Sequence, residues 1–141
     1  MRLLCVDLGD KRTGLAVGDT ETRFVSPLDV VEKPMTAGPG GEPLIDAVAR
    51  AAADHNAGAL VVGLPLNMDD TEGPRVKLVR AFAARLEERI GKPIHFQDER
   101  LTSVDADWAM SRSGLTHGQK KKRRDALAAA AILRDYLASL P

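Results

Sequence analysis

The stretch MRLLCVDLGDKRTGLAVGD, residues 1–19, decides how the chain is read. Its apolar run at residues 3–6 has the length and β-branched content of a buried strand. That run closes on an acid, Asp7, followed by Gly9 and then by the cations Lys11 and Arg12. Residues 13–18 (TGLAVG) are short, apolar and bounded by glycine, so the pattern predicts a second strand running back through a tight basic turn. A carboxylate at the end of a buried strand is placed at a point rather than spread over a surface. Asp also commonly opens a turn before Gly, and the hairpin alone does not separate the two readings.

Working outward, residues 24–31 (FVSPLDVV) predict a third strand, which Pro27 confines to an edge or a bulge, so three antiparallel strands open the chain. Residues 34–42 (PMTAGPGGE) read as a flexible surface loop. Residues 43–57 carry Leu44, Ile45, Val48 and Ala52 at helical spacing, with Pro43 in the first turn and Gly58 past the end. Residues 59–64 (ALVVGL) are uninterrupted apolar sequence up to Pro65, the pattern of a central strand covered on both faces and reached by a βαβ crossover. A helix over 74–90 puts Val76, Val79, Phe82, Ala83, Leu86 and Ile90 on one stripe and stops at Gly91 and Pro93; residues 93–97 supply a fifth strand. Thr102 and Asp105 form a capping pattern for a helix over 103–113 that carries Trp108 as a packing residue. Residues 113–119 (SGLTHGQ) read as a mobile loop. The last helix, over 121–138, turns Leu127, Ala130, Ala131, Leu133 or Ile132, and Leu137 to the core. The fold class is α/β, a five-stranded mixed sheet whose first three strands are antiparallel, with helices on both faces.

At 141 residues the chain is most simply one domain. Its sole cysteine, Cys5, lies inside an apolar strand, which excludes an intramolecular disulfide and predicts a buried, inert thiol in a reducing cytoplasm. There is no signal-type apolar core, and no apolar run approaches the roughly 18 residues of a membrane span, so a soluble cytoplasmic protein is expected. Twenty basic against 20 acidic side chains give no net charge, and global charge therefore announces no polyanionic partner. Distribution says more: Lys120, Lys121, Lys122, Arg123 and Arg124 are consecutive, just downstream of Asp98, Glu99, Asp105 and Asp107. An acidic pocket with a basic rim fits this pattern, and so does a solvated surface. No G-x-x-x-x-G-K-[ST] loop and no G-x-S-x-G elbow occurs. His55, His95 and His117 lack metal-ligand spacing, though His117 borders the basic cluster, where it can assist proton transfer.

Sites in open α/β sheets form outside strand ends. Asp7 closes the first strand, Glu99 closes the fifth, and Asp125 lies on the last helix one step before its packing stripe. With strand one beside residues 60–63, all three can converge. Three uncompensated carboxylates would repel one another, and Mg2+ or Mn2+, a pair of ions in this reading, removes the conflict. Two such ions about 3.5–4 Å apart activate an attacking water and steady the leaving oxygen in phosphodiester cleavage. Asp7, Glu99 and Asp125 are therefore the candidate catalytic and metal-binding residues. Lys11 and Arg12 are placed to hold a phosphate beside them, and Lys121 and Lys122 to grip flanking backbone. Arg100 fits either a phosphate contact or a structural partner for a neighbouring acid.

With these residues assembled, the chain resembles the YqgF/RuvX family, the pre-16S rRNA nuclease and Holliday junction resolvase relatives within the RNase H-like superfamily. The carriers are DLGDKRTGLAVGD at 7–19, VVGLPLNMD at 61–69, EGPRVKLVRAFAARL at 72–86, DERLTS at 98–103 and DALAAAAILRDYL at 125–137. Asp70 stands where the family usually has glycine, and Arg124 where an apolar residue is usual. The resemblance implies a single RNase H-like nuclease domain over 1–141 and an acidic triad of Asp7, Glu99 and Asp125. It also implies Lys11, Arg12 and Asn67 as groups orienting phosphate or water at the metal. The implied activity is metal-dependent cleavage of structured nucleic acid: the 5′ end of pre-16S rRNA first, four-way DNA junctions as the alternative. A non-catalytic ribosome-assembly factor is the alternative of another class. An actin-like ATP binder needs two such domains, and 141 residues provide one. At 4% aromatic residues the chain has little to stack bases on, which favours recognition of backbone or shape. Monomer and homodimer both remain open.

Overall fold

The computed structural model describes residues 1–36, 38–67, 69, 71–99 and 117–141, with backbone alone at 117–122. The strands are β1 (Arg2–Leu8), β2 (Thr13–Asp19), β3 (Val25–Val31), β4 (Ala59–Leu64) and β5 (Ile94–Asp98). The helices are α1 (Glu42–Asp54), α2 (Pro74–Ile90) and α3 (His117–Ala138). The sheet runs β3-β2-β1-β4-β5, antiparallel through the first three strands and parallel from β1 to β4 and β4 to β5. The mixed sheet and its antiparallel opening agree with the sequence pattern.

Period-two alternation along β1 divides the core into two layers. Leu4, Val6 and Leu8 point to one side, where they meet Leu44, Ile45 and Val48 of α1 and Val76, Val79, Phe82 and Leu86 of α2. Leu3 and Cys5 point to the other side, where they meet Ala129, Ala130, Ile132, Leu133 and Leu137 of α3. All six residues of β4 are buried, as its unbroken apolar run requires. Each fully buried Leu or Phe contributes about 1.5–3 kcal/mol, so the layers are held mainly by this burial. Among the described residues no helix is long and apolar enough to cross a membrane.

Several boundaries differ from expectation. β1 continues to Leu8, because Leu8 pairs with Thr13 and still buries its side chain; Asp7 therefore lies inside the ladder, opposite Gly14. α1 stops at Asp54, short of Ala57. Asn56 takes the left-handed conformation (φ 53°), the Asn56 N–H donates to the Ala53 carbonyl and the Ala57 N–H to the Ala52 carbonyl, closing a Schellman motif without glycine. The segment expected as a free surface loop at 34–42 is anchored: Met35 is buried against the larger core layer, and Arg85 Nε donates to the Gly40 carbonyl at 2.8 Å. On β3, register slips between Leu15↔Asp29 and Ala16↔Pro27, so Leu28 is the bulged residue and Pro27 sits on an edge strand as expected. On α3 Ala130, Ala131, Ile132, Leu133 and Leu137 are buried as expected, Ala126 and Ala129 join them, and Leu127 is only half-buried. Residues 117–119, expected in the loop, are helical. The expected helix over 103–113, the Thr102 and Asp105 cap, Trp108, Asp70, Arg100 and the loop at 113–116 lie outside the described residues.

Small residues on β2 let α3 come close. Gly14, Ala16 and Gly18 share the face toward α3, and a Cβ on Gly14 would stand 2.0 Å from the Asp125 carbonyl oxygen. That oxygen belongs to helix backbone and cannot step aside. Gly→Ala in a strand ordinarily stabilises by about 0.5–1 kcal/mol. Here Gly14→Ala is expected to destabilise by about 1–3 kcal/mol, the range for overpacking, measured by urea denaturation. An unchanged or raised midpoint would contradict the close approach.

Candidate active site

Asp7 follows Leu3 and Cys5 on the α3 side of β1, at the carboxyl end of the parallel strands. Both of its lateral neighbours are glycines. Gly14 pairs with it across β2, and Gly63 follows Val62, the partner of Val6, on β4. A Cβ on Gly63 would stand 2.4 Å from Glu99 Oε2 and 3.0 Å from Ile132 Cδ1, so the missing side chain is the space the Glu99 carboxyl fills. Glu99 is carried there by β5, and its backbone N–H donates to the Leu64 carbonyl at 3.2 Å.

The two carboxyls are hydrogen-bonded to each other. Loss of hydration pushes Glu99 up to about 8, helped by the negative charge of Asp7 and by the hydrogen bond that protonated Glu99 donates to Asp7; Arg75 opposes the shift. Burial also raises Asp7, and the charge of Asp125 adds to that effect, while the bond from Glu99 and the charge of Arg75 pull it down. Near neutrality the pair therefore tends to hold a proton where two bare carboxylates would conflict.

Asp125 reaches the site through the Gly14 contact, but its carboxylate is engaged elsewhere: Arg12 Nε donates to Asp125 Oδ2 at 2.7 Å. Among the described residues no three His, Cys, Asp or Glu side chains stand in an arrangement to hold a metal ion. Asp7 and Glu99 are together, and Asp125 is beside them on Arg12. Lys11 is exposed in the turn. Asn67 lies in the exposed loop after β4, where its Nδ2 donates to Thr71 Oγ1 at 3.0 Å and its N–H to the Thr71 carbonyl at 3.0 Å. The side chains of Lys121 and Lys122 lie outside the described residues, although their backbone is in α3 just before Asp125.

Arg75, Gly14 and Gly63 belong to the site and are absent from the sequence expectation. Arg75 Nη2 donates to the Leu8 carbonyl at 2.9 Å, and Nη1 pairs with Asp10, fastening the start of α2 to the β1–β2 turn. A signal for it exists: a cation in the first turn of a helix opposes the helix dipole and calls for a nearby acid. Cys5 is buried beneath Asp7, and burial pushes its thiol well above the ordinary value, so it is no nucleophile. His95 stacks on Tyr136 at 5.7 Å, a packing role.

The donor set fits an oxygen-preferring divalent cation. Asp7 and Glu99 offer carboxylate oxygens that a cation would relieve of the shared proton, and Asp125 would offer a third if it were released from Arg12.

A raised carboxyl group favours the folded chain where it holds its proton and loses that advantage as pH rises from its unfolded value, 4.5, through about 8. The chelator-treated protein is thus expected to have a thermal unfolding midpoint several degrees lower at pH 8.5 than at pH 5.5. Glu99→Gln, which keeps a donor to Asp7 and cannot ionise, should flatten that dependence. A dependence of equal slope in Glu99→Gln would assign it to other groups.

A family model described as "RuvX: Holliday junction resolvase" matches residues 1–139. An Anaeromyxobacter dehalogenans (strain 2CP-1) protein named "Putative pre-16S rRNA nuclease" is 44% identical over 137 residues, covering 97% of this chain and 96% of the relative. An Oenococcus oeni protein of the same name is 38% identical over 138 residues, covering 97% and 94%. Among solved structures, Thermus thermophilus RuvC in complex with a Holliday junction substrate superposes with a TM-score of 0.60 at 17% identity, covering 99% of this chain and 97% of that one. The yeast mitochondrial Holliday junction resolvase Ydc2 superposes with a TM-score of 0.55 at 14% identity, covering 96% and 77%. At such identities the likeness establishes the fold, which is RuvC-like; the family model and the relatives establish that the chain belongs to the RuvX (YqgF) family.

Proposed function

We propose that the chain is a divalent-metal-dependent endonuclease that hydrolyses phosphodiester bonds of structured nucleic acid, with precursor 16S rRNA as its substrate. The observation that carries this reading is the hydrogen-bonded Asp7–Glu99 pair at the strand ends, with Glu99 pushed up to about 8, with the charge of Arg75 acting on both carboxyls and with Arg12 on neighbouring Asp125. A buried acid pair of this kind has no structural necessity, and it suits a site that trades a proton for a cation. The names of the relatives, at 38–44% identity over nearly the whole chain, support precursor 16S rRNA as the substrate.

In this reading Asp7, Glu99 and Asp125 hold Mg2+ or Mn2+, which when bound supplies charge stabilisation at the scissile phosphate and a water activated for attack. The remaining work falls to the chain. Arg12 and exposed Lys11 bind phosphate oxygens and orient the scissile bond. Arg75 fixes the β1–β2 turn to α2, so those two cations keep their place relative to Asp7. The exposed Arg123 and Arg124, in the turns of α3 before Asp125, extend the cationic surface along the flanking backbone. The description of the family model favours a four-way DNA junction as a second substrate.

Purified protein is to be incubated with end-labelled precursor 16S rRNA and with a four-way DNA junction, each in Mg2+, Mn2+ or chelator. Expected is metal-dependent cleavage of the rRNA at its 5′ side, with Asp7→Asn slower by on the order of 10³-fold. Junction cleavage alone would move the substrate to DNA. Cleavage surviving chelator, or unchanged in Asp7→Asn, would remove the site assignment. Tight RNA binding without cleavage would favour the assembly-factor reading.

A further inference from the structure

The Arg12–Asp125 ion pair joins a turn residue to a helix residue 113 positions away, and both side chains keep solvent access, at 25% and 29% exposure. Arg12 hydrogen-bonds Asp125 through Nε alone among the described residues. A guanidinium bound at one nitrogen to one oxygen leaves its paired-donor geometry unused, and a phosphodiester presents two oxygens that match it. The Asp125 backbone lies over Gly14, the residue paired with Asp7, and the Asp125 charge acts on Asp7, so the carboxylate that Arg12 holds borders the Asp7–Glu99 pair.

We propose that Arg12 is a substrate-released latch on the metal site: without nucleic acid it occupies the Asp125 carboxylate, and a substrate phosphate that takes Arg12 frees Asp125 to join Asp7 and Glu99. The inference rests on the metallonuclease reading and adds an order to it. Guanidinium and divalent cation compete for the same carboxylate, so the resting protein binds metal weakly and the substrate-loaded protein binds it well. Because coupling between two ligands is reciprocal, metal also tightens the grip on nucleic acid. The arrangement would keep the hydrolytic site incomplete until a phosphate backbone is in place.

The test is Mn2+ binding by calorimetry on chelator-stripped protein, with and without a cleavage-resistant 2′-O-methyl RNA hairpin, the uptake of RNA alone being subtracted. In the wild type the hairpin should raise Mn2+ affinity by about five- to tenfold, a usual size for such coupling. Arg12→Gln should show the raised affinity without RNA and lose the increment. Arg12→Lys, which keeps a competing cation, should stay weak at rest. Asp125→Asn gives a second, independent reading, since it frees Arg12: metal-free binding of the hairpin should tighten several-fold. A structural role for the pair, holding α3 on the hairpin, predicts the opposite, with lower Mn2+ affinity and a lower unfolding midpoint in Arg12→Gln. Resting affinity in Arg12→Gln equal to or below the wild type, or an undiminished RNA increment, overturns the latch alone, provided Asp7→Asn still abolishes Mn2+ uptake. Uptake that Asp7→Asn leaves unchanged overturns the latch and the nuclease reading together.

Discussion

Helix α3 rests on β2 at a distance set by the absence of a side chain on Gly14. Any larger residue there would meet the backbone carbonyl of Asp125, not a side chain that could rotate away. Three features follow from that contact. The Asp125 backbone is brought next to Asp7, because Gly14 and Asp7 are cross-strand partners, while its carboxylate is held by Arg12. The alanines at 126, 129 and 130 face the sheet where larger residues would hold the helix off, while Ile132, Leu133 and Leu137 further along supply the apolar burial that keeps it down. The helix also runs away from the site, so its cationic first turns end up at the carboxyl ends of the parallel strands.

At those strand ends the constraint becomes electrostatic. Asp7 and Glu99 are held together in a place where hydration is reduced, and the pair is tolerable only with a proton or a cation present. Two arginines border the site, one from α2 and one from the β1–β2 turn. Arg75 reaches from α2 to the Leu8 carbonyl and Asp10, and Arg12 reaches from the turn to Asp125 on α3. The β1–β2 turn is thereby tied to the helical layer on each side of the sheet, and a loop that would otherwise be free becomes a fixed wall of the site.

Much of this is legible in the residues. The five strands and the helices among the described residues follow from apolar period, from Pro at helix starts and from glycine at stops, and α2 ends at Gly91 in the left-handed conformation as its pattern predicts. The α1 end is not legible in the same way: an Asn in the left-handed region closes the helix as glycine would, and nothing in DHNAG marks which residue does so. Asp7 and Glu99 stand out as acids closing apolar strands. Gly14 and Gly63 do not stand out, because a glycine that makes room for a distant residue looks the same in sequence as one that makes a turn. Arg75 and the engagement of Arg12 by Asp125 are hidden for the same reason: each depends on partners brought near by the tertiary fold, which local period does not encode. The expected stripe on α3 omits Ala126 and Ala129 and includes the half-buried Leu127, because a run of alanine carries too little hydrophobic contrast to mark the edge of a helix face.

A chain with no net charge is an unpromising ligand for a polyanion only if charge is averaged over the whole molecule. At physiological ionic strength charges are screened over roughly 8 Å, so a phosphate backbone senses the cations within its own reach. Lys11, Arg12 and Arg75 gather around the β1–β2 turn, and Arg123 and Arg124 stand in the helical turns just ahead of Asp125. Two of these cations are balanced locally by carboxylates: Arg75 by Asp10 and Arg12 by Asp125. In the proposed reading such pairs would exchange a carboxylate for a phosphate when substrate arrives. Neutral composition and a polyanion-binding face are therefore compatible. What would distinguish such a face from an ordinary solvated surface is that one of its acids, Asp125, borders the Asp7–Glu99 pair and, if released from Arg12, would have a second use there.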